Sequence, residues 1–218
     1  MSQHTLILLR FTYKKLKEKF TVSDSKKLFH EKFPYVIPGL YKRIIDEMLV
    51  ELNLLNHQND FTQDYLFCVG LTETFKELTK GYKPEKHLDL LFESLCCSTN
   101  FEAEEIKEIS QKFQKEFQDK SINDILKKLK EKGTSKLYPS RILNLGMYKI
   151  ISNSTDFRGG SESETNKIIS DSFKMLNLST SKAEKDIGIY KSSISKMEQA
   201  KELIEELRIK DKKKDQKQ

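Results

Sequence analysis

Three glutamates on predicted helices are the residues best suited to do chemistry. Helical bundles with internal carboxylates can bind two iron or manganese ions, which needs glutamates from two helices and a Glu-x-x-His motif from each of two others. Glu47, Glu51 and Glu73 could supply carboxylates, but the sequence has no Glu-x-x-His motif. We keep a metal–carboxylate enzyme as an alternative and predict no catalytic, cofactor-binding or metal-ligating residue. The histidines are scattered, at His4, His30, His57 and His87.

The cysteines give no sign of a catalytic or metal site either. Cys68, Cys96 and Cys97 include no Cys-x-x-Cys pair, and their odd number argues against a disulfide framework. This usage predicts a reducing compartment. The sequence also lacks a glycine-rich phosphate loop, a nucleophile elbow and an HExxH motif. No apolar run approaches the roughly 20 residues of a membrane span, so we expect a soluble or peripheral protein.

The positive charge of the chain is concentrated at its two ends. The formal net charge is +6, but residues 1–20 and residues 208–218 each carry +4, so residues 21–207 carry −2. A DNA-binding domain would show a basic face on its folded body, and we expect no nucleic acid as a partner. RNA binding by the ends remains an alternative. Basic ends suit an anionic membrane surface or an acidic partner, and simple solubility is a further alternative. The candidate contact residues are Lys210, Lys212, Lys213 and Lys214.

The element that would position the carboxylates is a helix predicted over Tyr41–His57, which we take as the scaffold of the fold. On a helical wheel its apolar residues form one broad arc. Glu51 lies inside that arc and Glu47 at its edge, with Arg43 one turn from Glu47. A buried carboxylate must find a partner or stay protonated. We therefore predict that the two glutamates form a structural polar anchor, meaning a buried polar group with a basic or hydroxyl partner.

Two further predicted helices share an apolar pattern with a glycine at the same place. The segments are Leu66–Phe75 and Ile142–Ile151, with Gly70 and Gly146 at matching positions. A glycine in mid-helix costs helix stability, so each one predicts a close helix crossing. The two helices could pack against the central helix, or against each other through the glycines.

Helical periodicity, few glycines and prolines, and abundant Lys, Glu, Leu and Ile predict an all-α protein. We expect a single multi-helix bundle with a long C-terminal, coiled-coil-like helix. The first helix is predicted to begin at the TVSD segment, with Ser23 as its N-cap. The predicted boundaries are a basic amphipathic extension at 1–20, a helical core at 21–152, a linker at 153–164, C-terminal helices at 165–209 and a disordered basic tail at 210–218.

Six segments that occur in order resemble a known family. Together they are similar to the thylakoid formation protein family, the photosystem II-associated biogenesis factors of cyanobacteria and chloroplasts. The resemblance spans residues 21–214. The segments are TVSDSKKLF (21–29), YKRIIDEMLVELNLL (41–55), DFTQDYLFCVGLTETF (60–75), KGYKPEK (80–86), SRILNLGMYKII (140–151) and YKSSISKMEQAKELIEE (190–206).

This resemblance implies an all-helical, non-enzymatic accessory protein on the cytoplasmic, or stromal, side of the thylakoid membrane. Such proteins support photosynthetic membrane biogenesis and the accumulation of photosystem II. The implied partners are membrane-bound FtsH-type protease complexes and photosystem II assembly or repair intermediates, with anionic thylakoid lipid as a further contact. Residues 1–20 are short for a chloroplast transit peptide, which favours a cyanobacterial source. The family pattern implies no cofactor.

One matching segment also suggests a partner for the central carboxylates. Arg141 lies in the Ser140–Arg141 part of that segment and is our long-range candidate for pairing with Glu47 or Glu51. A buried pair of this kind would fix how the two glycine-bearing helices cross the central one.

Overall fold

The computed structural model of the chain describes residues 20–133, 137–157 and 162–215. Side chains are described for the same residues except 162 and 208–215. These residues form α-helices and two short 3-10 helices, Glu85–His87 and Thr155–Phe157, without a strand. The prediction of an all-α fold with a long C-terminal helix is confirmed. The helices are α1 (Val22–Lys32), α2 (Gly39–His57), α3 (Tyr65–Leu78), α4 (Leu88–Cys97), α5 (Ala103–Phe117), α6 (Ile122–Lys132), α7 (Arg141–Ser152), α8 (Glu162–Met175) and α9 (Thr180–Asp215).

Side chains at the helix starts explain several boundaries. Thr21, not Ser23, is the N-cap of α1: its hydroxyl accepts from the backbone N–H of Asp24, and its own backbone N–H donates to the Asp24 carboxylate at 3.0 Å. The Thr-x-x-Asp spacing allows this reciprocal capping box, which a cap at Ser23 would not form. The hydrogen bond from the Thr21 side chain lowers the pKa of Asp24. Ser121 caps α6 and Ser140 caps α7 in a similar way.

The centre of the bundle is α3 rather than α2. Helix α3 is buried on nearly all sides and packs against α5, α7 and α9. It crosses α7 where Gly70 meets Gly146: a Cβ added to Gly70 would lie 1.9 Å from the carbonyl oxygen of Ile142, and one added to Gly146 would lie 1.9 Å from that of Leu66. Of the two packings left open by the sequence, the structure has the glycine-bearing helices against each other.

The described part of the predicted linker and the C-terminal helices pack onto the rest of the bundle. The backbone N–H of Ile122 donates to the Asp156 carboxylate at 2.7 Å, so the short 3-10 helix is held against the start of α6. Helices α8 and α9 place Phe173, Ile187 and Tyr190 in the same apolar core as residues of α3 and α7. The C-terminal helices therefore share a core with the residues before them, and Phe157 of the predicted linker packs against that core.

Helix α9 continues to Asp215, where the sequence analysis expected disorder from residue 210. Its last residues include no Gly or Pro to end the helix. The coiled-coil character of α9 stays a prediction.

The predicted N-terminal extension covers residues 1–20, and all of it except Phe20 lies outside the described residues. Along the described part of the chain, no helix combines the length and hydrophobicity needed to span a bilayer.

Candidate docking groove

An open groove runs along the outer side of α2. Its volume is about 850 Å³, and its other wall comes from the residues just before α7 and from Lys182 near the start of α9. Val50, Leu54 and Tyr138 contribute apolar surface, and Leu54 is 54% exposed. This size suits a bound segment or ligand better than a packing defect. The groove is also lined by the four predicted anchor residues, Arg43, Glu47, Glu51 and Arg141.

The structure brings Arg141 and Glu51 together across the groove. Arg141 Nε donates to Glu51 Oε2 at 3.0 Å, and Nη2 of the same guanidinium donates to the same oxygen. The Glu51 side chain is 19% exposed and that of Arg141 34%, so the pair is partly rather than fully buried. Burial opposes the positive charge of Arg141, but the Glu51 carboxylate outweighs it and raises the pKa of Arg141. The anchoring role of the pair stays a prediction.

Glu47 and Arg43 pair with each other, but not as a buried anchor. Arg43 Nε donates to Glu47 Oε1 at 2.9 Å, and both side chains are exposed on the rim of the groove. The prediction of a buried position is wrong for these two residues. Glu47 lies at the edge of the apolar arc, and no element of the described structure covers that edge.

Two buried asparagines outside the groove lining, Asn144 and Asn53, were missed by the sequence analysis. Asn144 Nδ2 donates to Asp186 Oδ2 at 2.8 Å, and this bond joins α7 to α9. On the other side of α2, Asn53 Nδ2 donates to Phe20 O and to Ser25 Oγ, each at 2.8 Å. For Asn144 the available signal was its position within the apolar stretch ILNLGMYKII.

The carboxylates proposed for metal chemistry have other partners. Glu47 and Glu51 bind arginines, and Glu73 accepts from Gln114 Nε2 at 3.4 Å. Within the described ranges, no group of three or more His, Cys, Asp or Glu side chains is placed to hold a metal ion. The site residues whose side chains lie outside the described part are Lys210, Lys212, Lys213 and Lys214.

The cysteine thiols are neutral where they are buried. Cys68 and Cys96 are buried and Cys97 is exposed, all as free thiols. Burial raises the pKa of Cys68 to about 12 and also raises that of Cys96. A thiol with such a pKa is a poor nucleophile near neutral pH, because the thiolate is the reactive form.

A double-mutant cycle on Glu51→Gln and Arg141→Met should give a coupling of about 1–2 kcal/mol in the free energy of unfolding, because the pair is charge-assisted and partly shielded from water. Urea unfolding of the four proteins measures it. The matched control is the exposed pair on the same helix, with Glu47→Gln and Arg43→Met, for which we expect a much smaller coupling. Equal coupling energies for the two pairs would contradict the predicted anchoring role of Glu51 and Arg141.

Comparison with known proteins places this fold in a family. A family model described as thylakoid formation protein matches residues 21–218. Protein Thf1 of Prochlorococcus marinus (strain MIT 9312) is 80% identical over 199 residues, which cover 91% of this chain and 99% of that relative. Protein Thf1 of Prochlorococcus marinus subsp. pastoris is 72% identical, with 91% and 98% covered. A solved structure of Psb29 has a TM-score of 0.79 at 27% identity, covering 89% of this chain and 98% of that one. The chain belongs to the thylakoid formation protein family.

Proposed function

We propose that this protein is a non-enzymatic accessory factor for thylakoid membrane biogenesis and for the assembly or repair of photosystem II. In this proposal it acts on the cytoplasmic side of the thylakoid membrane. It docks there on a membrane-bound FtsH-type protease complex or on a photosystem II intermediate. Contacts between anionic thylakoid lipid and the lysines of 210–214 would hold it near the membrane surface.

The observation that carries this proposal is the groove along α2. Protein segments are commonly recognised by grooves in which an apolar floor supplies affinity and polar walls fix orientation. Leu54 and Val50 form such a floor. The Glu51–Arg141 pair joins the two walls, so the groove is formed before a partner arrives. Pre-formed sites lose less conformational entropy on binding.

Replacing Leu54 by aspartate should weaken partner binding at least about tenfold, because it puts a charge on the apolar floor. Binding would be measured by surface plasmon resonance, with the purified chain against a purified FtsH-type complex and against purified photosystem II intermediates. The matched control is Val36→Asp, which changes an apolar residue that is 92% exposed in the loop before α2 and away from the groove lining.

The two variants distinguish the loss of a contact in the groove from a general loss of surface hydrophobicity. We expect Val36→Asp to bind like the unmodified chain. If both variants bind equally well, the groove is not the docking surface. If the unmodified chain binds neither partner at any salt concentration, the proposed partners are wrong.

A further inference from the structure

The second half of α9 carries an apolar stripe exposed to solvent. Leu203 is 57% exposed, Ile204 40% and Leu207 51%. Their spacing of one, three and four residues places them on one side of the helix. We call residues 198–207 the distal α9 segment. It carries a net charge of −3, since Lys201 offsets one of four glutamates. The glutamates are Glu198, Glu202, Glu205 and Glu206.

The α2 groove has the complementary properties. Its lining carries five basic and three acidic side chains, a net charge of +2. All three carboxylates form ion pairs with groove residues: Lys26 with Asp46 at 3.5 Å, and the two arginine–glutamate pairs. The excess positive charge is therefore on Lys42 and Lys182, and the amine of Lys182 donates only to a neutral group among the described residues, the carbonyl oxygen of Pro139 at 3.0 Å.

The groove is also long enough for the distal α9 segment. The groove lining on α2 runs from Gly39 to Gln58, about 28 Å at 1.5 Å per residue. The distal α9 segment has ten residues and is about 15 Å long. The groove can therefore take the exposed side of the segment lengthwise, with Leu203 and Leu207 toward Leu54 and with Glu206, which flanks this stripe on the helix, toward one wall.

A molecule cannot fill its own groove in this way. Lys182 lies on the groove wall, and Leu207 follows on the same uninterrupted helix. At the helical rise their Cα atoms are about 38 Å apart. A segment that occupies the groove must therefore come from another molecule.

We infer that the α2 groove binds the distal α9 segment of a second copy of this chain, and that two copies exchange these segments in a closed two-fold dimer. An amphipathic helix in an apolar groove is a recurrent mode of protein recognition, and a two-fold arrangement satisfies both grooves at once. The inference goes beyond the proposed function and does not depend on it, because the purified chain alone tests it. A dimer of this kind would compete with any other partner for the groove.

Sedimentation velocity of the purified chain over a concentration series tests the dimer. We expect a concentration-dependent dimer for the unmodified chain. Leu54→Asp in the groove should raise the dissociation constant at least about tenfold, and so should Leu203→Asp combined with Leu207→Asp in the segment. Val36→Asp should dimerise normally. Circular dichroism checks that every variant keeps its helix content.

Mixing the two monomeric variants makes the test specific to a groove–segment contact. A heterodimer of the groove variant and the segment variant keeps one intact contact, since one chain supplies an unmodified groove and the other an unmodified segment. The mixture should therefore form heterodimers under conditions where each variant alone is monomeric.

Two results would overturn the inference. One is an unmodified chain that stays monomeric up to about 100 µM, because the dissociation constant of the dimer would then lie well above the micromolar range. The other is loss of the dimer in the segment variant but not in the groove variant, which would indicate direct pairing of two α9 helices.

Discussion

Replacing Gly146 by alanine should destabilise the protein by about 3 kcal/mol or more, a large effect for the addition of one methyl group. The new Cβ would lie 1.9 Å from the carbonyl oxygen of Leu66 and 2.9 Å from the backbone nitrogen of Gly70. These are backbone atoms, which cannot move aside by a rotamer change. The two helices would have to separate, and buried contacts on both sides of the crossing would loosen.

Gly70→Ala should have a similar cost, because the crossing is nearly symmetric: its Cβ would lie 1.9 Å from the carbonyl oxygen of Ile142. Urea unfolding followed by circular dichroism measures both variants. Gly188→Ala in α9 is the matched control, since a Cβ there meets nothing within 4 Å. It should stabilise the helix by up to about 1 kcal/mol, because alanine has the higher helix propensity.

The comparison between the three glycines decides the outcome. If Gly146→Ala and Gly188→Ala change the unfolding free energy by the same amount, the close crossing of α3 and α7 is not what holds the two helices. If Gly146→Ala is too unstable to purify in plain buffer, the expected direction is met. Its urea unfolding is then measured in buffer that contains a stabilising osmolyte, with the unmodified chain and Gly188→Ala in the same buffer.

The glycine pattern also shows where sequence reasoning stops. Equivalent glycines in two similar apolar segments were enough to predict close crossings at Gly70 and Gly146. They did not say which helices cross, because periodicity describes one face of one helix and contains no information on the element it meets. In the structure α3 and α7 cross each other at these glycines. Helix α3 is also buried on nearly all sides, whereas the sequence analysis assigned the scaffold role to α2.

Single-helix reasoning placed Glu51 correctly among apolar residues but gives no sign that Asn53 in the same helix is buried. The wheel puts Asn53 opposite the apolar arc, where exposure is expected. In the structure α1 covers that side, and Asn53 is 2% exposed with hydrogen bonds to Phe20 and Ser25. Its partners come from a different element more than 25 residues away in sequence. Such burial depends on tertiary packing, which no local pattern encodes.

Replacing Asp64 by asparagine should stabilise the protein at neutral pH by up to about 3 kcal/mol. Asp64 is the N-cap of α3: one carboxylate oxygen accepts from the backbone N–H of Phe67 at 2.8 Å, and the other is buried without a hydrogen-bond partner among the described residues. Burial raises the pKa of this carboxyl from 3.8 to about 6, against the lowering effect of the backbone hydrogen bonds. Asparagine keeps the cap and removes the buried charge.

The pH dependence gives the sign of the effect. Because the folded state binds the Asp64 proton more tightly than the unfolded chain, the unmodified protein loses stability as the pH rises from about 4 to about 6, and the loss is complete above that range. The stability difference between Asp64→Asn and the unmodified chain should therefore be small near pH 4 and largest above about pH 7. Thermal unfolding at several pH values measures this difference.

Two further variants separate the charge from the cap. Asp64→Ser keeps a capping hydroxyl without a carboxylate and should show the same flattened pH profile as Asp64→Asn, whereas Asp64→Ala removes the cap and should cost about 1 kcal/mol relative to Asp64→Ser at every pH. If the difference between Asp64→Asn and the unmodified chain does not change with pH, the Asp64 carboxyl titrates normally in the folded protein. Its burial at the start of α3 would then carry no electrostatic cost.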